Sequence, residues 1–109
     1  MIDYIHIGGT RRPVKFGMNA LRLFCKATGL KIGDLAKLGD DMSLDDAIQL
    51  AYYGLYDGAR KEGQKFTDSI EDVADWLDEP GKFEEVFDIY VSQFVNENPT
   101  KPETETPAT

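Results

Sequence analysis

The chain has 109 residues, 41% hydrophobic and 11% aromatic, with Lys+Arg 12 against Asp+Glu 20 and a net charge of −8. That is the size of one domain with a modest core, and too apolar for a chain that stays unfolded throughout. No apolar run nears the ~18–20 residues a membrane span needs, and the one cysteine, Cys25, excludes an intrachain disulfide or a multi-cysteine zinc site.

The charge is unevenly placed. Residues 1–38 carry seven basic and two acidic side chains; residues 39–98 carry four basic and sixteen acidic. A chain this acidic repels nucleic acid at long range. Its basic front and acidic back suit head-to-tail self-association, although neutralisation within one fold is the simpler account. Asp3 and His6 follow Met1 where a secretory leader would have a basic region and an apolar stretch. An intracellular soluble domain is therefore expected.

Residues 1–17 read as a β-hairpin. Ile2, Tyr4, Ile5 and Ile7 form a β-rich run, 8–12 supply the turn, and Pro13-Val14-Lys15-Phe16 return. Two strands alone are marginal in water, so the hairpin must pack on something. A first helix is expected over Met18–Thr28, with Leu21, Phe24, Cys25 and Thr28 on one stripe and Gly29 as its stop. A short second helix covers Lys31–Leu38. Ser43 is a good N-cap for a third, Leu44–Glu62, whose main stripe is Leu44, Ile48, Ala51, Leu55 and Ala59; Asp45 and Asp46 suit its dipole. Thr67 or Ser69 caps a fourth, Ile70–Asp78, broken by Glu79-Pro80-Gly81. The fifth, Lys82–Glu97, has the cleanest helical spacing, with Phe83, Val86, Phe87, Tyr90, Val91 and Phe94. Residues 99–109 contain no large apolar side chain and are expected to form a flexible tail. The expected architecture is mainly α (α+β): one domain over 1–98, about five helices with the hairpin packed on them.

No catalytic set stands out. His6 falls on a strand, where a lone histidine is a surface or packing residue. Cys25 lies on an apolar stripe, where a thiol behaves as a small hydrophobe. Gly8-Gly9 is a turn signal and no phosphate cradle. Asp72, Asp75 and Asp78 recur every three residues without the loop pattern of an EF-hand, and the Asp40-Asp41 and Asp45-Asp46 pairs flank a helix start. A non-enzyme with no metal and no cofactor is expected.

The third helix is apolar most of the way round. Opposite or beside its main stripe lie Leu50, Tyr53 and Tyr56, so it is either covered on two sides or partly turned to a partner. Gly54 and Gly58, four apart, each cost ~1 kcal/mol relative to alanine and would let another backbone approach. Trp76 is off the stripe of Ile70, Val73 and Leu77. Leu50, Tyr53, Tyr56 and Trp76 are the candidate partner-binding residues.

The order of several short segments resembles a known family. A hairpin ending Pro13-Val14-Lys15-Phe16-Gly17, then Asn19-Ala20-Leu21 with Phe24 opening a helix, then Thr28-Gly29-Leu30, is similar to the tail assembly chaperones of long-tailed bacteriophages. Leu50-Ala51-Tyr52-Tyr53-Gly54-Leu55 resembles that family's aromatic-glycine helix, and 69–78 its helix before the last. The resemblance spans roughly residues 5–95. It implies a small helical protein that coats the tape measure protein in the host cytoplasm and helps recruit tail tube subunits. Many such chaperones also occur in a longer, frameshifted form. The family implies no catalytic residues.

A DNA-binding regulator is the alternative. Residues 24–36 have a helix–glycine turn–helix look in the basic half. The second helix, however, offers Lys31 and Lys37 with Asp34, and no Arg, Asn or Gln for base edges.

Overall fold

The computed structural model describes residues 2–39 and 42–95. It is an α+β arrangement in which five helices surround one core and carry a single antiparallel hairpin at the N-terminal end. The expected tail, 99–109, lies outside the described residues, as do Asp40 and Asp41.

Strands β1 (Asp3–Ile7) and β2 (Thr10–Val14) pair with Asp3 opposite Val14 and Ile7 opposite Thr10. Gly8 and Gly9 join them at φ of +62° and +82°. Positive φ at both central residues matches the right-handed twist of a hairpin, and glycine adopts it without a Cβ penalty. Gly8 is further confined because a Cβ there would lie 2.5 Å from the Trp76 ring. Alternation then buries Ile5 and Ile7 and turns Tyr4 and His6 outward.

Helix α1 (Met18–Thr28) starts from Gly17, with no side-chain cap, and ends at Gly29 at φ +81°, whose amide donates to the Cys25 carbonyl at 2.8 Å. Helix α2 (Ile32–Leu35) is half the expected length, a single turn. Helix α3 (Leu44–Lys61) is capped by Ser43, which accepts from the Asp46 amide at 3.0 Å. Helix α4 (Ile70–Trp76) opens with a reciprocal box, Ser69 accepting from the Asp72 amide and Asp72 from the Ser69 amide. Helix α5 (Lys82–Tyr90) runs directly into a wider π-helical turn, Val91–Val95.

Helix α3 is central, with α1, α4, α5 and β2 all packed against it. Its glycines explain how. A Cβ on Gly58 would sit 2.3 Å from the Pro13 carbonyl oxygen, and one on Gly54 2.5 Å from the Phe16 ring. Gly58 therefore admits the backbone of the chain's own returning strand and Gly54 the Phe16 ring that follows it, and the Lys15 amide donates to the Gly54 carbonyl at 3.0 Å. The expected stripe is corrected at its start. Ala51, Leu55 and Ala59 are buried, Ile48 is half-buried, and Leu44, in the first turn, is 78% exposed at the edge of a shallow concavity shared with α4 and Phe83.

The fifth helix builds an aromatic column. Phe83, Phe87, Tyr90 and Phe94 follow one another with centroids 5.7–5.9 Å apart, and Phe16 meets Tyr90 edge-on at 5.3 Å. The Tyr90 hydroxyl, fully buried, donates to the Leu35 carbonyl and ties α5 to α2. Gln93, in the π turn, closes the open end of the hairpin. Its carbonyl accepts from the Phe16 amide at 2.7 Å, and its amino group donates to the Asp3 carboxylate at 2.8 Å and the Val14 carbonyl at 3.1 Å. Asp57, on α3, is the only charged side chain fully buried among the described residues; Arg60 holds one oxygen at 2.9 Å, and the other accepts no hydrogen bond there.

Candidate functional site: an apolar groove with a basic rim

An open groove of about 480 Å³ lies between α1, the α1–α2 loop and the π turn. Helix α1 contributes Met18, Leu21, Arg22 and Cys25; the loop and α2 contribute Leu30, Lys31, Ile32 and Leu35; the π turn contributes Phe94. Leu21, Leu35 and Phe94 form its floor and are buried, while Met18 and Ile32, both 71% exposed, stand at its edge.

Local chemistry fixes these walls. Thr28 donates to the Phe24 carbonyl at 2.8 Å and accepts from the Leu30 amide at 3.2 Å, so the chain leaving α1 is held where Leu30 faces the groove. Gly29 makes the left-handed turn between them. The Asp34 carboxylate accepts from the Lys31 amide at 2.9 Å and starts α2. One helical turn cannot bury both of its large apolar residues. Leu35 takes the core position and Ile32 is left outside.

Both charged residues lining the groove, Arg22 and Lys31, are basic. The Cys25 thiol is pushed up by burial and then by the charge of Asp34, away from the thiolate a nucleophile needs. Elsewhere, no cluster of three or more His, Cys, Asp or Glu among the described residues has metal-holding geometry. No described helix is long and apolar enough to cross a membrane.

The four residues nominated from sequence lie elsewhere. Leu50 has no exposed surface and belongs to the core, because α3 is covered on that face too. It cannot contact a partner in this fold. Tyr53, Tyr56 and Trp76 are half-buried in an aromatic group with Tyr52 and Phe66: Tyr52 meets Tyr53 at 5.1 Å, Tyr56 at 6.4 Å and Phe66 at 5.6 Å, and Phe66 meets Trp76 at 6.5 Å. Trp76 also lies under the Arg12 guanidinium, 4.2 Å from its ring centroid, and against Gly8. Much of its surface is thus spent on the hairpin turn. The structure brings three of the four into one aromatic neighbourhood.

Sequence reasoning missed the groove residues. Their signal was Met18, which extends the α1 stripe of Leu21 and Cys25 by one turn, and two large apolar residues, Leu30 and Ile32, beside Gly29 and Gly33. The helix–turn–helix look does not yield a reading element, since α2 is a single turn and offers no length to lie along a major groove.

No family model, curated protein or solved structure matches the chain.

Proposed function

We propose that this chain is a non-enzymatic assembly chaperone for bacteriophage tails, which binds the tape measure protein and helps recruit tail tube subunits in the host cytoplasm. The observation that carries the reading is the open apolar groove, with Met18 and Ile32 held largely in solvent at its edge. Exposed apolar side chains flanking an apolar concavity suit transient cover of an apolar helix. The order of short segments resembling the tail chaperones supports the choice of partner. Net charge of −8 supplies solubility to a protein that carries an apolar surface.

The test is affinity capture of the tagged chain from cells producing the parent phage, with mass spectrometry of what co-purifies. Recovery of a very long helical tail protein is the expected result. Recovery of duplex DNA of defined sequence and no virion protein would replace this reading with the regulator.

A further inference from the structure

We infer that the groove between α1, α2 and the π turn docks an amphipathic helix whose apolar stripe is flanked by acidic side chains. The inference rests on the chaperone reading for the partner's identity, but its recognition chemistry comes from the groove alone.

Three observations converge. The floor is apolar and continuous with the core through Leu21, Leu35 and Phe94, so an inserted side chain would meet a surface already held in place. Such preorganisation avoids the ordering cost that weakens most small interfaces. The charged lining residues, Arg22 and Lys31, are both cationic, and the surrounding segment 18–37 adds Lys26 and Lys37 against Asp34 alone. On a chain of net charge −8 this is a local inversion of sign, which steers acidic partners to this face and basic ones to others. Finally, the groove is open, and its edge residues Met18 and Ile32 present apolar surface to whatever enters. A helix meets these demands because its i, i+3, i+4, i+7 positions fill one groove while flanking positions reach both rims.

The experiment uses the full chain and designed peptides of about five helical turns (~18 residues). One has a leucine stripe flanked by glutamates, a second has lysines in their place, and a third has the first composition in scrambled order. Binding is read by fluorescence anisotropy, and occupancy by the rate at which a maleimide labels Cys25, which lines the groove. The expected result is that the acidic peptide binds about tenfold or more tighter than the lysine peptide and the scramble, weakens with salt, and slows Cys25 labelling. The double variant R22E/K31E should reverse the charge preference. Ile32→Asp, at a site 71% exposed, should weaken binding about tenfold with an unchanged circular dichroism spectrum.

Equal affinity for the two charge versions, no binding of either, or Cys25 labelling indifferent to saturating peptide would overturn the inference. If the variants change only the sedimentation of the chain itself, the occupant is a second copy and the inference also fails. Tail protein still captured by R22E/K31E and Ile32→Asp would leave the chaperone reading standing and this groove wrong. Acidic peptide bound with no tail protein captured from phage-producing cells would mean the reverse.

Discussion

Replacing Gly58 by alanine tests the contact around which the fold is organised. In an isolated helix the change gains about 1 kcal/mol, because alanine loses less backbone entropy than glycine. Here the new methyl would lie 2.3 Å from the Pro13 oxygen, 2.5 Å from its carbonyl carbon and 2.7 Å from the Val14 nitrogen. All three are backbone atoms, so no rotamer change relieves the overlap. Either α3 shifts or β2 lifts away, and lifting β2 strains the hydrogen bond from the Lys15 amide to the Gly54 carbonyl. Overpacking of this kind costs about 2 kcal/mol and the strained hydrogen bond about 1 kcal/mol. Against the helical gain, the net loss is about 2 kcal/mol. At ~4–8 °C per kcal/mol for a domain of this size, the melting temperature should fall by about 10 °C. The matching control is Gly33→Ala in α2, where a Cβ meets nothing within 4 Å. That variant should gain about 0.5 kcal/mol and melt a few degrees higher. Differential scanning calorimetry of the two variants decides the matter by sign. A Gly58→Ala protein as stable as its parent would refute the close approach of β2 to α3.

Gln93→Ala should lose about 2 kcal/mol in urea unfolding, since the Phe16 amide and the ends of both strands lose their partner. Gln93→Glu should do no better although it keeps the acceptor for Phe16, because its second oxygen then faces the Asp3 carboxylate and the Val14 carbonyl; stability equal to the parent's would contradict the bonding described. Arg60→Leu should cost about 1–2 kcal/mol by leaving the Asp57 carboxylate buried without its cation, a cost kept modest because Arg60 itself is half in water; an unchanged unfolding midpoint would show that Asp57 has another source of stabilisation. Burial, followed by the Cys25 charge, raises the Tyr90 pKa far above its ordinary value of 10.0. The folded state therefore keeps a proton that the unfolded state releases, so Tyr90's contribution is fully present below about pH 10 and is lost progressively above it. Tyr90→Phe should be about 1 kcal/mol less stable at neutral pH and should show a shallower alkaline decline, by up to about 1.4 kcal/mol per pH unit; identical alkaline slopes in chemical denaturation would count against the buried hydroxyl.

The architecture was legible wherever a local rule and the packing demanded the same thing. Gly8-Gly9 had to turn, Gly29 had to end α1, Ser43 and Ser69 had to cap, and the spacing from Phe83 to Phe94 had to place one face inward; each does so. The paired glycines of α3 signalled a close backbone, but only the fold says that it belongs to β2. Less legible was which of two apolar faces would be left over. On α3 the spacing puts Leu44 on the inward stripe and Leu50 off it; tertiary cover takes Leu50 and leaves Leu44 in water. The length of α2 was also less legible: residues 36–38 carry helix-compatible side chains, yet the helix ends at Leu35, whose carbonyl takes the buried Tyr90 hydroxyl. The groove lies beside this short helix, whose boundaries helical periodicity does not specify.

The ties made by Gln93 also constrain how the protein comes into being. Asp3 and Gln93 are 90 positions apart, and the hairpin's supports, α3 and the π turn, all follow it in the chain. On a ribosome β2 can therefore rest on α3 only after residue 61 has been made, and β1 meets α5 and Gln93 only when almost the last described residue has been made. At ~5–20 residues per second, that leaves the isoleucines of β1 uncovered for several seconds in every round of synthesis. Ile5 and Ile7, fully covered in the finished fold, are thus among the first apolar side chains made and the last to be sheltered.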